Sequence, residues 1–483
     1  MTKTFLNLFD AAWFFVERSD APAHFGPLTI LSPPEEAPST YVRDLVAQWR
    51  KNETFAPPFN SVLRNRPIPC WDSVPDGDID LDYHLRHIAL PSPGGERELG
   101  ELVSHLHSLP LDRRRPLWEC HVIEGLERGR FAIYLKFHHG QLDGVATARL
   151  IGRVFTTDPD ARGMLPPWSA GIRGNAPARQ PIATETAATA VSAWGRLGAV
   201  GRLCRAVGST AVAVRALADM AVAVHKDRTG DLTRPFRSAT TLFNHRICNQ
   251  RRFATQHCEL ARFKRVAKAG NVTINDVFLT AFGGALQRYL GELDAVPDGP
   301  IVGQIPVNLR ELNSASMGNA LGFVFARLHT DIADPVLRLR AVHRATLAAK
   351  GFHQALPPSA VMPFTMLLSG PQMALLLLGL GGFGRPAANL VISNVPGPAE
   401  QLYFDGAPVE EIYGPSVLFH GQALNVTMSS YAGKAVISFT ACSRSLPHVQ
   451  RLAVYTGEAL EEVEQALGIE PSPGSVVPDE AST

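Results

Sequence analysis

Apolar and polar side chains alternate in several short stretches of this chain. Such alternation predicts β-strands, because successive side chains on a strand point to opposite faces. In the clearest stretch, residues 131–137, the side chains of Phe131, Ile133, Leu135 and Phe137 share one face, and His139 continues that face just beyond it. Similar patterns predict strands at residues 78–84, 120–125, 252–255, 301–310, 390–398 and 436–440.

Other stretches carry apolar residues three or four positions apart, which predicts helices. Segments of helical character are residues 98–109, 260–268 and 448–467. A further apolar stripe consists of Val145, Ala148, Ile151 and Val154. Thr273 is a suitable N-cap for another helix, and Asn275 and Asp276 fall in its first turn, where polar and acidic groups suit the helix dipole.

The order of these segments predicts two α/β halves. A chain of 483 residues is too long for one ordinary hydrophobic core. We place the N-terminal half at residues 1–167, an Ala-rich helical connection at 168–240 and the C-terminal half at 241–470. Residues 471–483 have the composition of a disordered tail.

Composition and charge narrow the classes of partner. Hydrophobic residues make up 45% of the chain and charged residues 19%, as in a globular protein, and the net charge of +1 argues against nucleic acid as a partner. The six cysteines are scattered without a CxxC pair, which argues against a zinc site or a disulfide framework. Scattered cysteines suit a reducing compartment, so we expect a cytoplasmic protein with no bound metal.

Two stretches have the composition of helices that lie against protein or lipid. Residues 169–224 are rich in Ala, Val, Gly and Thr with isolated arginines, and they predict either a helical pair that covers the core or a surface against lipid. Residues 351–384 contain no charged side chain, but Pro363 and Pro371 interrupt them. The uninterrupted part is too short for a membrane span, so a buried or a membrane-facing helix is expected.

The seven residues from His138 to Gly144 carry the strongest chemical signal. His139 is aimed at buried space at the end of a strand, where an imidazole can act as a general base near neutral pH. His138 points to the other face, which suggests packing or support. We expect Asp143 to orient the loop through an ion pair and Gly144 to allow a sharp turn into the next helix. The alternative is a histidine pair in a polar turn beside a helix cap.

The HHxxxDG pattern of these residues resembles the signature of the CoA-dependent acyltransferase superfamily. Further blocks, in order, resemble the bacterial wax ester synthase/acyl-CoA:diacylglycerol acyltransferase family. These blocks are Asp10 to Phe14, Pro22 to Gly26, Leu111 to Arg113, Arg115 to Glu119, Asn275 to Val277, Pro306 to Arg310, Gly318 with Asn319, and Ser393 to Pro398. The second block departs from the usual Pro-Met-His-Val-Gly. The resemblance implies two chloramphenicol-acetyltransferase-like halves, each a mixed sheet flanked by helices, with an active-site tunnel between them.

The resemblance also implies a reaction: transfer of a fatty acyl group from acyl-CoA, as co-substrate, to a lipid hydroxyl. The acceptor would be diacylglycerol, a long-chain alcohol or both, and no acyl-enzyme is expected because the motif holds no activated Ser or Cys. The Asn-Asp block makes Asn275 a candidate oxyanion donor or structural support. Asp276 is expected to be structural support.

Two other functions remain open at this level, together with the location. A condensation-type enzyme would take its acyl group from a carrier-protein thioester, and a non-catalytic protein would coat lipid droplets. Because water-insoluble acceptors must reach a buried histidine, we expect a cytoplasmic protein bound peripherally to the inner face of the plasma membrane or to lipid droplets. The small net charge favours apolar attachment.

Overall fold

The computed structural model describes residues 3–6, 8–64, 69–172, 211–227, 231–233, 236, 238–308 and 321–470. Most of the Ala-rich connection (residues 173–210), the motif residues 309–320 and the tail at 471–483 lie outside the described residues. Predictions made for those segments are therefore not addressed by the structure.

The first large sheet carries the strand that ends at the histidine pair. Its strands run in the order β13-β14-β3-β8-β7-β6, with β2 paired to β8. Their bounds are β2 His24–Phe25, β3 Leu28–Leu31, β6 Leu85–Ala89, β7 Trp118–Glu124, β8 Phe131–His138, β13 Tyr403–Phe404 and β14 Ala407–Tyr413. A small neighbouring sheet has the order β1-β5-β4, formed by β1 Lys3–Phe5, β4 Ser61–Arg64 and β5 Cys70–Ser73.

The second large sheet has six strands in the order β11-β10-β12-β15-β16-β9. Their bounds are β9 Arg251–Glu259, β10 Val302–Asn308, β11 Leu321–Arg327, β12 Leu390–Pro396, β15 Leu424–Tyr431 and β16 Lys434–Cys442. Strands β10, β12 and β15 pair in parallel, and the other pairs are antiparallel. The two sheets and their helices form the mixed α/β architecture that the sequence predicts.

Helices flank both sheets. Those before the second half are α1 Leu8–Val16, α2 Tyr41–Arg50, α3 Leu81–His84, α4 Glu96–Ser108, α5 Gly144–Val154, α6 Pro167–Ala170 and α7 at residues 211–226. Those of the second half are α8 Leu260–Gly270, α9 Ile274–Glu292, α10 Pro335–Gln354, α11 Pro358–Leu377 and α12 Val449–Ala466. Helix α9 is buried along most of its length, which makes it the central helix of the second core.

Strand β8 confirms the alternation read from the sequence. Every residue of the strand is buried. Phe131, Ile133, Leu135 and Phe137 join one core cluster, whereas Ala132 and Tyr134 join a different one. The second cluster also contains residues of α4, β9 and β16, so the far face of β8 packs toward the second half of the molecule. A strand buried on both faces holds its end, and the histidines there, in one orientation.

Two local predictions are wrong. Residues 78–84 do not form a strand: a short helical turn, Asp76–Asp78, ends at the first of them, helix α3 covers the last four, and β6 begins only at Leu85. The side chain of Asp80 caps α3, a local hydrogen bond that competes with the strand. The predicted stripe on α5 is wrong in its first half, because Val145 is 41% exposed and Thr147 and Leu150 are buried instead. In its second half Ile151 packs on the core and Val154 is buried as expected.

The chain crosses from the second half back to the first. Strands β13 and β14 lie beyond residue 400, yet β14 pairs antiparallel with β3 of the first sheet. Just after β14, the Gly414 amide donates to Ser438 Oγ and the Ser416 amide to Thr440 Oγ1, both on β16. This segment therefore ties the two sheets together. The domain boundaries stay a prediction.

Helix α11 occupies much of the uncharged stretch, and it continues through Pro363 and Pro371, which were expected to interrupt it. Within the described part of the chain, Ser359–Leu377 is the one segment long and apolar enough to cross a membrane by length and composition. Only 35% of it is buried. Its buried side, with Ala360, Phe364 and Leu368, packs in one cluster with Ala213 of α7.

Candidate active site

His139 follows β8 directly, and two other segments hold it in place. Its backbone amide donates to the carbonyl of Ala23 at 2.8 Å, next to β2. Its ring stacks on the indole of Trp13 at 3.8 Å between centroids, and the ring of Phe25 lies 4.7 Å away. The imidazole therefore sits between aromatic side chains from α1 and β2, where it has little freedom to rotate.

Burial keeps the His139 imidazole neutral. Its pKa is lowered from the ordinary value to about 4, mainly by desolvation and also by His138, against opposing effects of its own backbone and of Asp143. The Nδ1 atom is enclosed, and none of the other described residues forms a hydrogen bond with it. At neutral pH the ring is unprotonated and able to accept a proton.

His138 has a different environment on the opposite side of the strand. It is 1% exposed, its ring stacks on Phe14 at 4.1 Å, and its Nδ1 accepts a hydrogen bond from the Gly140 amide at 3.0 Å. Because Nδ1 is an acceptor, Nε2 carries the proton of the neutral ring, and it points to Glu17 Oε2 at 3.5 Å. These contacts shape the loop after His139.

Glu17, just after α1, is the carboxylate that contacts both His138 and Arg113. Burial would raise the pKa of Glu17, but His138, the amide of Ala23 and the charge of Arg113 lower it to about 2. The Arg113 guanidinium pairs with this carboxylate and also donates to the carbonyl of Phe14 at 3.1 Å. Helix α1 is thus anchored to both the histidine strand and the segment before β7.

Gly140 allows α1 to approach the histidine loop. A Cβ at this position would lie 2.5 Å from the ring of Phe14 and 2.8 Å from the carbonyl oxygen of Asp10. Neither distance is compatible with a real side chain, and the carbonyl belongs to a helix that cannot shift freely. Close packing of α1 on the loop is the physical reason for glycine here.

Asp143 does not form the ion pair that was expected of it. Across the described residues, no salt bridge involves its carboxylate. Asp143 is the N-cap of α5 instead: its Oδ1 accepts from the Ala146 amide at 2.7 Å. The chain enters α5 at Gly144 as expected, but this turn does not require glycine, since φ lies outside the left-handed region and a Cβ would meet no atom within 4 Å.

The cap leads to a prediction. Asp143→Ala should lower the melting temperature and the activity together, because an N-cap contributes about 1 kcal/mol and this one fixes the loop after His139. Asp143→Asn is the matched control, since Asn caps a helix equally well and should restore the melting temperature. Thermal melts and rates of both variants test this. Loss of activity in Asp143→Ala at an unchanged melting temperature would point instead to a direct chemical role.

Thr273 caps α9 as predicted, and Asn275 and Asp276 lie in its first turn. The Asp276 carboxylate is 1% exposed and accepts hydrogen bonds from Thr273, His343 and Thr346. Burial opposes its ionisation, but these hydrogen bonds lower its pKa below the ordinary value. The Asn275 side chain faces Asn394 of β12 at 3.5 Å. Its role as an oxyanion donor stays a prediction.

The structure brings together residues whose roles the sequence did not suggest. Trp13, Phe14 and Glu17 hold the two histidines, and Arg113 holds Glu17. Three of these four lie in blocks that carry the family resemblance. The sequence therefore marked their positions but gave no physical reason for them. Only the packing of α1 against β8 supplies that reason. Among the described residues, no cluster of three or more His, Cys, Asp or Glu side chains is arranged to hold a metal ion.

Comparison with protein families gives two matches that together span most of the chain. The sequence model of the wax ester synthase/diacylglycerol acyltransferase catalytic domain matches residues 6–278. The model of the WS/DGAT C-terminal domain matches residues 317–464.

Individual proteins are similar over nearly the whole length. An O-acyltransferase of Acinetobacter baylyi, named WSD, is 35% identical over 466 residues, which cover 96% of this chain and 97% of that protein. A Mycobacterium tuberculosis protein with diacylglycerol O-acyltransferase in its name is 38% identical over 494 residues, 95% of this chain and 97% of its own. The solved wax ester synthase/diacylglycerol acyltransferase of Marinobacter aquaeolei is 33% identical, with a TM-score of 0.76 and coverage of 96% and 100%.

A more distant likeness concerns the fold alone. The first condensation domain of the calcium-dependent antibiotic synthetase superposes with a TM-score of 0.56 at 17% identity, over 96% of each chain. The two-lobed arrangement of mixed sheets flanked by helices is therefore shared with condensation domains.

Proposed function

Since this chain belongs to the wax ester synthase/diacylglycerol acyltransferase family, we propose that His139 is the general base with which it transfers a fatty acyl group. The protein is an acyl-CoA-dependent O-acyltransferase. Acyl-CoA is the co-substrate, and a lipid hydroxyl receives the acyl group. The observation that carries the assignment of the base is the buried, neutral imidazole held between Trp13 and Phe25.

The reaction proceeds by direct transfer. His139 takes the hydroxyl proton as the acceptor oxygen attacks the thioester carbonyl, and we assign this step to Nε2 because Nδ1 is enclosed. The tetrahedral oxyanion collapses, the C–S bond breaks, and CoA leaves as a thiolate that regains the proton. Positioned proton transfer of this kind contributes roughly 10²–10⁴-fold to a rate. A dry site also limits hydrolysis of the thioester.

The acceptor in this proposal is diacylglycerol, a long-chain alcohol or both. The relatives carry the names of wax ester synthase and of diacylglycerol acyltransferase, and both reactions need the same base and the same leaving group. Only the shape of the acceptor differs between them. The choice between these acceptors is open to a direct assay.

The test measures release of CoA thiol from palmitoyl-CoA with hexadecanol, with dioleoylglycerol and without acceptor, and identifies the ester by chromatography. We expect acceptor-dependent thiol release and the matching neutral lipid. The same acyl group on acyl carrier protein is the comparison for a condensation-type reaction. Transfer from the carrier alone would overturn the proposal in favour of that class, and no transfer from either donor would favour a non-catalytic lipid-surface protein.

We propose further that the protein is cytoplasmic and binds the inner face of the plasma membrane or lipid droplets through α11 and the turn that follows it. Leu378, Leu380 and Phe383 in this turn are 72%, 46% and 59% exposed. Met366 and Met373 continue the exposed apolar face along α11. The opposite face packs against protein, which favours a helix lying on the lipid surface over one spanning it.

This surface lies beside the catalytic histidine. Gly381 approaches His420 so closely that a Cβ would lie 2.9 Å from that side chain. The neighbouring Phe419 stacks on Trp13, which itself stacks on His139. Arg18, just beyond α1, also donates to the carbonyl of Leu377. A lipid bound at the turn is thus separated from His139 by a short chain of contacts, which suits acceptors that dissolve in lipid.

Attachment through this surface predicts flotation with neutral liposomes that persists at high salt, because apolar contact is not screened. The double variant Leu378→Glu with Phe383→Glu should lose flotation while it remains folded. Val296→Glu is the matched control, since Val296 is 60% exposed but lies on the loop before β10. Flotation that disappears at high salt, or that the double variant retains, would contradict the proposed surface.

A further inference from the structure

Two thiols from distant parts of the chain lie side by side in the second half of the molecule. Cys248 precedes β9, and Cys442 ends β16, its antiparallel neighbour. Their Sγ atoms are 3.5 Å apart although 194 positions separate them in the chain. Both thiols are free. The position lies outside the contacts that hold His139.

The two cysteines differ in freedom and in access. Cys442 is fully buried, and its amide donates to Ala423, so β16 holds it in place. Its sulfur also accepts a hydrogen bond from the Cys248 amide at 3.4 Å. Cys248 is partly exposed, in an irregular segment before β9. One thiol is therefore fixed, and the other is accessible to a small reagent.

The surroundings favour the thiolate of Cys248. Burial alone would raise its pKa, but the Cys442 thiol, the backbone of Gln250 and the hydroxyl of Ser443 lower the pKa below the ordinary value. A buried cation, the guanidinium of Arg251, hydrogen-bonds the carbonyl of Cys248. Partial exposure and a lowered pKa are the properties of reactive cysteines.

The other described cysteines lack this combination. Burial raises the pKa of the Cys120 thiol, and it raises that of Cys258 to about 12. Cys70 is buried. The raised pKa keeps the Cys120 and Cys258 thiols protonated, and burial encloses Cys70 and Cys120, so these three thiols react slowly with oxidants.

We propose that Cys248 and Cys442 form an oxidisable dithiol, a modification site at which a peroxide closes an intramolecular disulfide. The Cys248 thiolate attacks the peroxide oxygen, which breaks the O–O bond, oxidises the sulfur to a sulfenic acid and releases hydroxide. The Cys442 thiol then attacks that sulfur, the S–O bond breaks, and water leaves as the S–S bond forms. Each peroxide is reduced as the two thiols are oxidised.

The distance between the two sulfurs determines what must move when the disulfide closes. A disulfide needs an S–S distance of about 2 Å, so the sulfurs must approach by about 1.5 Å. Because β16 holds Cys442, the segment with Cys248 makes this movement. The new bond closes a loop through most of the second half and restricts its unfolded chain, so the oxidised protein should melt at a higher temperature.

The test uses the full-length protein with Cys204→Ser, which removes the cysteine outside the described residues. After reduction, the protein is treated with hydrogen peroxide at equal concentration and followed by intact mass and peptide mapping. We expect loss of two hydrogen atoms, a Cys248–Cys442 cross-linked peptide and a raised melting temperature that dithiothreitol reverses.

Single variants separate the two roles. Cys442→Ser should stop at a sulfenic acid on Cys248, which dimedone traps, and Cys248→Ser should lose thiols at least about tenfold more slowly. Acyl transfer is not the readout, so failure here leaves the catalytic proposal intact. The inference is overturned if both thiols survive peroxide, if the cross-link joins separate molecules, or if Cys248→Ser reacts as fast as the parent.

Discussion

Replacing His139 with alanine is expected to lower the rate of acyl transfer at least about a hundredfold while the protein stays folded. The reason is the loss of the base that takes the hydroxyl proton, a contribution of roughly 10²–10⁴-fold in enzymes that use one. Removing the ring also removes its stacking with Trp13, but the backbone bond from residue 139 to Ala23 remains. Rates from the thiol-release assay and thermal melts of both proteins test this expectation.

His138→Ala is the matched comparison, since the two histidines are neighbours with different surroundings. This change should cost less activity, because His138 lies on the side of β8 opposite His139, which we propose as the base. It should cost stability, because the buried ring stacks on Phe14 and binds the Gly140 amide. If His138→Ala were the more damaging to rate, with both variants folded, the assignment of the base to His139 would be wrong.

The second large effect that we expect is a loss of stability at acid pH. Several buried histidines are neutral in the folded protein, and lowering the pH from 7.5 to 5 is expected to destabilise it strongly. Desolvation lowers the pKa of His84 and His139 to about 4 and that of His107 to about 3. Burial also lowers the pKa of three further histidines, His24, His121 and His138.

The direction follows from proton linkage. Unfolding returns each histidine to a pKa near 6.5, so below that pH the unfolded chain binds protons that the folded chain does not, and acid favours unfolding. The stability that these histidines contribute is fully present above pH 6.5. It is lost as the pH falls toward their folded-state pKa values of about 3 to 4. By this relation, each of His84, His107 and His139 lowers the free energy of unfolding by about 2 kcal/mol when the pH falls to 5. Their sum is comparable with the whole stability of many proteins.

Denaturation midpoints in urea at pH 9, 7.5, 6 and 5 provide the measurement. The histidines are neutral in both states between pH 9 and 7.5, so that interval is an internal control in which their contribution is constant. We expect a steep fall of the midpoint between pH 6.5 and 5. A midpoint that changes no more between pH 7.5 and 5 than between pH 9 and 7.5 would contradict the buried neutral state of these rings.

Local patterns were sufficient wherever one segment determines its own structure. The alternation in residues 131–137 predicts both faces of β8 and the position of His139, because side chains on a strand alternate whatever lies around them. Thr273 predicts the start of α9 for a similar reason, since a cap needs only its own first turn. The order of the motifs predicts the family, and with it the two halves and the acyl transfer.

Local patterns failed where neighbouring interactions compete. At residues 78–84 alternation predicts a strand, but the Asp80 carboxylate caps a helical turn within four residues. On α5, Val145 and Ala148 share a stripe with Val154, yet the core lies against the side of Thr147 and Leu150. Periodicity shows that a segment has faces, whereas the packing of its neighbours determines which face is buried.

The sequence by itself determined the strand that presents His139, the Thr273 cap of α9 and the class of reaction, because these depend on residues close together in the chain. The tertiary structure alone decided what keeps the His139 imidazole neutral and fixed in place. Trp13 on α1 and Glu17 just after it reach the histidines, and Arg113 comes from a third segment, before β7. Strand β14 joins the first sheet from beyond residue 400, and Cys248 meets Cys442 across 194 positions. Desolvation, stacking and ion pairing act between residues that only folding brings together.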